Sequence, residues 1–217
     1  EVSAFGILHI EGPRTGDNLS SVEISGAHAL KPWRCSKSVN FVLGRVPRFG
    51  ADAFSLLGNR EILLEVGNQL KRAGAVPVDE TALEVVRVEN GIARVGVDAT
   101  EKTIALKANL QRSISFDKGC YLGQETIERA TSRGGLKKKM YGLRFDSPVE
   151  PGAALFLDGK EVGRVTSSVM SPRFGAIGLA ILHHSAWTPG ARLVTSGNIG
   201  AIVSELPYDS HSTNDAQ

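Results

Sequence analysis

The sequence predicts an α+β fold in two parts, an α+β portion over residues 1–135 and an all-β module over 136–207. Three observations carry this. Helix-period apolar patterns occur before residue 135. Beyond Gly134-Gly135, short apolar runs alternate with Gly, Pro and Asp turns. The chain also holds 24 Gly among 217 residues, above the usual share of about 7%, which favours turns over long helices.

The elements follow in order. Residues 4–11 alternate apolar and polar and break at Gly12-Pro13, as a strand running into a turn does. Residues 17–30 read as a short helix or a loop. Residues 38–46 alternate again through Val39, Phe41 and Leu43, and 54–57 form a further strand. A helix opens at Asn59-Arg60-Glu61, lays Ile62, Val66, Leu70 and Ala73 on one face, and closes at Gly74. Residues 81–90 read as a helix with Leu83, Val86 and Arg87 near helical spacing, Thr81 and Glu84 matching a capping box. Gly119 and Gly123 bracket a tight loop before a helix over 124–132. Short strands follow at 139–145, 154–157, 162–168, 176–182, 192–195 and 199–205, with a hairpin signal at Asp158-Gly159. Such regular strands suit a small antiparallel barrel or sandwich. Residues 208–217 are polar and read as a flexible tail.

Composition narrows the function. Lys and Arg number 25 against 23 Asp and Glu, a net charge of +2, too balanced to argue for a nucleic-acid partner. No apolar run approaches the roughly 18 residues of a membrane helix, so no membrane partner is expected. Two cysteines, Cys35 and Cys120, rule out a disulfide framework and suggest a reducing compartment. His9, His28, His183, His184 and His211 show no two-ligand helical spacing, so no metal site is expected.

The chemistry concentrates between Asp117 and Gly134. Lys118 and Cys120 are two residues apart and, on an extended backbone, point the same way. An ammonium beside a thiol, with a helix beginning just beyond, favours the thiolate. Glu125 falls in the first turn of that helix, with Arg129 at i+4. The residues alone leave open an inert buried thiol and an ordinary surface ion pair.

The run Lys118-Gly119-Cys120-Tyr121, Gly123-Gln124-Glu125, Arg129, Arg133-Gly134 resembles the signature of the YgfZ-like, folate-dependent iron–sulfur proteins. That family is related to the glycine cleavage T-protein, an aminomethyltransferase. Ile10-Glu11-Gly12-Pro13, Arg87-Val88-Glu89-Asn90-Gly91 with Gly96-Val97-Asp98, and Gly163-Arg164-Val165-Thr166-Ser167 with Ser171-Pro172 look like further pieces of the same superfamily.

The resemblance implies a T-protein-type, ferredoxin-like folate-binding portion, expected to be N-terminally incomplete, followed by a small C-terminal antiparallel β-barrel. It implies tetrahydrofolate or another reduced folate as cofactor, and iron–sulfur client or assembly proteins as partners. Cys120 and Lys118 take the reactive positions. Glu89, Asp98, Tyr121, Gln124, Glu125, Arg129 and Arg133 take the folate-binding ones. Glu89 would accept the pterin N–H edge, or else pair with Arg87 or lie on the surface. Asp98 would bind ligand or cap a turn. Arg129, Arg133 and Lys137-Lys138-Lys139 would suit the anionic glutamate tail. The expected role is assembly or repair of iron–sulfur clusters. Folate-dependent aminomethyl or one-carbon transfer, and a folate-free protein-docking module, are the alternatives. The compartment would be the cytoplasm in a bacterium, or the mitochondrial matrix or plastid in a eukaryote.

Overall fold

The computed structural model describes residues 4–49, 52–132 and 135–208. The chain divides between Asp79 and Glu80 into two compact units. The boundary expected at residue 135 falls inside the second unit, shortly before its strands begin.

The first unit is built on an antiparallel sheet. Strands β1 (Phe5–Glu11), β2 (Cys35–Lys37), β3 (Phe41–Arg45) and β4 (Ala53–Asn59) lie in the order β1-β4-β3-β2. The register sets Leu8 opposite Leu56 and Ile10 opposite Phe54. Helix α1 spans Thr15–Ser21 and α2 spans Arg60–Arg72. Leu63, Val66 and Leu70 of α2 pack with Leu19, Leu43, Phe54 and Leu56 into one core. The Asn59 side chain caps α2 by accepting the Glu61 N–H at 2.8 Å. At the other end Gly74 takes φ +95°, so the Gly74 and Ala75 N–H groups turn back to the Lys71 and Leu70 carbonyls.

The second unit begins with α3 (Glu80–Glu89) and α4 (Gln124–Ser132) and ends in strands β5 (Lys138–Phe145), β6 (Ala154–Leu157), β7 (Lys160–Ser171), β8 (Gly175–His183), β9 (Arg192–Thr195) and β10 (Gly200–Ser204). These six strands form a closed antiparallel barrel in the order β10-β5-β8-β7-β6-β9. Closure leaves no unpaired strand edge among them. The expected hairpin turn is present: Asp158 and Gly159 both take positive φ between the paired Leu157 and Lys160.

Alternation along β8 produces two cores. Ala180 and Leu182 join Leu143, Leu155, Val165 and Leu193 in one cluster, while Ile177 and Leu179 join Val88 of α3, Met140 and Tyr208 in another. Tyr208, expected to open the flexible tail, is instead buried. Its hydroxyl accepts the Leu143 N–H at 2.6 Å and lies 2.6 Å from the Gly178 carbonyl and 2.9 Å from that of Leu143. Both glycines there are needed, because a Cβ on Gly142 would come within 2.8 Å of the Tyr208 ring and one on Gly178 within 2.4 Å of the Ser167 carbonyl. The rest of the expected tail, 209–217, lies outside the described residues.

Candidate functional site

The second unit gathers its buried charges where α3 ends. Gly91, at φ +65°, stops the helix, and the Gly91 and Ile92 N–H groups return to the Val88 and Arg87 carbonyls. That turn brings the Ile92 carbonyl back to accept from Arg87 Nη1 at 2.6 Å. Arg87 also gives Nη1 to Asp98 Oδ2 at 2.7 Å, Nη2 to Ser167 Oγ at 2.7 Å, and Nε and Nη2 to the two oxygens of Glu84. All five guanidinium N–H groups are thereby used. Burial disfavours the charge on Arg87, but the hydrogen bond to Glu84 and the Asp98 carboxylate outweigh it and hold the guanidinium more firmly protonated than usual. The hydrogen bond from Arg87 in turn lowers Glu84 below its ordinary range.

Asp98 is equally committed. Its Oδ2 accepts from Arg87 and from the Arg94 N–H at 2.9 Å, and its Oδ1 accepts from Ser167 Oγ at 2.7 Å and from Thr166 Oγ1. Two consecutive residues of a strand ordinarily face opposite ways. Here a β-bulge interrupts the β7–β8 register between Val165 and Ser167, and both hydroxyls reach the same carboxylate. Four protein groups thus fill the acceptor positions of Asp98.

Glu89 differs. It is the last residue of α3, and its side chain is nearly buried. Oε1 accepts from Ser171 Oγ at 2.6 Å, while Oε2 faces Arg173 Nη1 at 3.8 Å, beyond hydrogen-bond reach. Ser171 Oγ also accepts the Arg173 and Phe174 N–H groups at 3.0 Å, which shapes the β7–β8 turn. Aromatic and cationic side chains cluster at this turn. Arg173 lies over Phe174 at 4.8 Å, and Arg144 lies over Phe174 and Tyr208 at 5.2 and 5.4 Å. The Tyr208 N–H bonds the Glu89 carbonyl at 2.8 Å. The result is a nearly buried carboxylate with spare acceptor capacity, next to a turn that carries Arg173 and Phe174. It suits a flat ligand rich in N–H donors.

The remaining expected residues sit in a second location. Cys120 and Lys118 lie in the loop before α4, Cys120 exposed and the Lys118 ammonium 4.8 Å over the Tyr121 ring. On α4, Arg129 pairs with Glu125 and Gln124 donates to Glu128 at 2.7 Å. Gln124, Glu125 and Arg129 thus engage one another and Glu128 along the helix. Arg133 falls outside the described residues. Arg173, Phe174, Arg144 and Tyr208 escaped the sequence reading. The one signal near them was Ser171-Pro172, which marks the turn. Among the described residues, no three or more His, Cys, Asp or Glu side chains gather as a metal site would, and no helix is long and apolar enough to cross a membrane.

Residues 138–208 match the family of glycine cleavage T-protein C-terminal barrel domains. The chain is 34% identical over 158 residues to a chloroplastic protein of Arabidopsis thaliana named as a candidate transferase, covering 72% of this chain and 37% of that one. It is 25% identical to an aminomethyltransferase of Halothermothrix orenii over 95% of this chain and 60% of the relative. The glycine cleavage system aminomethyltransferase T of Bartonella henselae has the same fold, with a TM-score of 0.84 at 22% identity over 94% of this chain and 60% of that structure. The chain thus spans between 37% and 60% of the length of these relatives. Taken with the closed barrel and the residues gathered beside it, these matches support placing the chain in the glycine cleavage T-protein superfamily.

Proposed function

We propose that the chain is the folate-binding part of a YgfZ-like protein that supports assembly or repair of iron–sulfur clusters in client enzymes. The observation that carries the folate half is Glu89, a nearly buried carboxylate whose Oε1 is held by Ser171 and whose Oε2 lies 3.8 Å from Arg173 Nη1, beyond hydrogen-bond reach. Its acceptor oxygens fit a pterin, whose N–H edge needs a carboxylate acceptor. Asp98 and Arg87 position Glu89 by fixing the end of α3. A bound tetrahydrofolate would supply a carrier for a one-carbon unit.

The iron–sulfur half rests on the signature loop. Cys120 is exposed and Lys118 is near it in sequence, so a cargo cluster could be met there. A cluster usually takes four thiolates, so Cys120 would share it with a client or assembly protein. Arg129, Gln124, Glu125, Tyr121 and Arg133 would shape this surface. A plastid setting fits the chloroplastic relative.

Folinic acid or tetrahydrofolate should raise the melting temperature, since a ligand at a hundredfold excess over Kd adds about 2.7 kcal/mol. Glu89→Gln, which trades an acceptor for a donor, should weaken binding by about 1–3 kcal/mol. No shift at millimolar ligand overturns the folate reading. The named aminomethyltransferase relatives favour a second reading, aminomethyl transfer. Formaldehyde-equivalent transfer to tetrahydrofolate by the full-length protein would select it.

A further inference from the structure

The turn between β7 and β8 parks a guanidinium against Glu89, a nearly buried carboxylate with acceptor capacity to offer. Arg173 Nη1 lies 3.8 Å from Glu89 Oε2, with the arginine side chain 62% exposed and that of Glu89 10%. The guanidinium sits over the Phe174 ring, 4.8 Å from its centre, rather than in a hydrogen-bonded fork. The turn does not need it. What ties Arg173 into the turn is its backbone N–H, which donates to Ser171 Oγ. Oε1 of Glu89 is already engaged by Ser171 at 2.6 Å, so a ligand would take chiefly the oxygen that Arg173 faces.

A guanidinium presents N–H groups on nitrogens that flank one carbon. Carboxylates accept that edge in a bidentate way. A neutral 2-aminopyrimidinone ring presents the same kind of edge. We propose that Arg173 is a displaceable internal stand-in for this edge, so that the Glu89 site takes planar, guanidine-like donors in competition with its own arginine. Three features favour easy displacement: the long N–O distance, the exposure of Arg173, and the position over Phe174 that gives the side chain a resting place. An ion pair this long, with its arginine in solvent, contributes little. The proposal rests on the reading of Glu89 as the ligand acceptor and adds to it a ligand class and a built-in competitor.

The experiment compares wild type, Arg173→Gln and Glu89→Gln, each confirmed folded by its thermal melt. The probe is 2-amino-4-hydroxypyrimidine, which carries the donor edge and no carboxylate, titrated by NMR beside folinic acid. Arg173→Gln should bind the probe about two- to fivefold more tightly than wild type, the range expected for release of a weak ion pair, and Glu89→Gln should lose it. If Arg173→Gln binds the probe no more tightly than wild type, or if no protein binds it, the proposal falls. If the probe tightens as expected while folinic acid binds none of the proteins, the competitor stands and the folate reading falls. If folinic acid binds wild type through Glu89 but Arg173→Gln brings no gain for either ligand, the folate reading stands and the competitor falls.

Discussion

Arg87 Nη1 and Asp98 Oδ2 meet at 2.7 Å inside the second unit, and each side chain spends its whole hydrogen-bonding capacity within the protein. The pair joins the end of α3 to the loop at Arg94 and to the bulged strand at Thr166 and Ser167. Its contribution to a ligand site is therefore indirect. It fixes where α3 stops, and so where Glu89 stands.

Breaking that pair should be costly. Asp98→Ala leaves the Arg87 charge, two hydroxyls and the Arg94 N–H without their acceptor, and should lower stability by about 3–5 kcal/mol. Urea unfolding followed by Trp187 fluorescence in a Trp33→Phe background measures it. The double change Arg87→Met with Asp98→Leu should cost less than the sum of the single changes, because no charge is stranded. Additive costs would mean that the two side chains do not act as a unit.

Acid should loosen the same network through Glu84. Its folded pKa lies below the ordinary 4.5, chiefly because Arg87 hydrogen-bonds the carboxylate. A depressed carboxyl contributes stability that is present above 4.5 and is lost as pH falls through the lower folded value. Unfolding free energy should therefore drop below that pH in wild type and drop less steeply in Glu84→Gln. Equal slopes in the two proteins would remove Glu84 from the account.

Tyr208 gives the alkaline counterpart. Burial pushes its phenol up, against the opposing effects of Leu143, Gly178 and Arg144. Because the fold prefers the protonated form, its stabilisation is full below the ordinary pKa of 10.0 and is lost as pH rises through the higher folded value. Absorbance at the phenolate band should show Tyr208 ionising only as the protein unfolds. Tyr208→Phe should cost about 1–3 kcal/mol, the usual penalty for stranding a buried partner.

A single methyl at Gly178 should do more damage than its size suggests. It would sit 2.4 Å from the Ser167 carbonyl and 2.8 Å from the Phe145 ring, neither of which is the loose end of a flexible chain. Gly178→Ala should fold poorly or melt far below wild type. A comparable methyl at Gly16 meets only the exposed His28 ring, so Gly16→Ala should be mild by comparison in the same thermal melt.

The barrel was largely legible because its strands keep apolar alternation and its turns keep their chemistry. The β8 strand and the Asp158-Gly159 turn are clear cases. The short strand β2 was missed because all its residues are exposed, leaving no inward face to read. The helix over 81–90 was seen, but its face was not. Leu83 and Val86 remain partly exposed, while Arg87, Val88 and Glu89 are the buried residues. Hydropathy cannot reveal burial that depends on charge pairing. Glu89 and Asp98 were named from the family resemblance, yet only coordinates separate the saturated carboxylate from the one with capacity left. Tyr208 looked like part of a polar tail because its anchoring partners are main-chain groups far away in sequence.

The extra residue at Thr166 acts as a phase inverter for its strand. Before it, Val165 points into the barrel cluster. After it, Ser167, Val169 and Ser171 all point the other way, to Asp98, the Val88 cluster and Glu89. Straightening the bulge with every residue kept would swap the side of the wall that each of those later side chains faces. Two serines would turn inward, and Glu89 would lose the Ser171 hydroxyl. The strand thus encodes by parity as well as by identity: across the bulge, residues an even number apart face opposite sides.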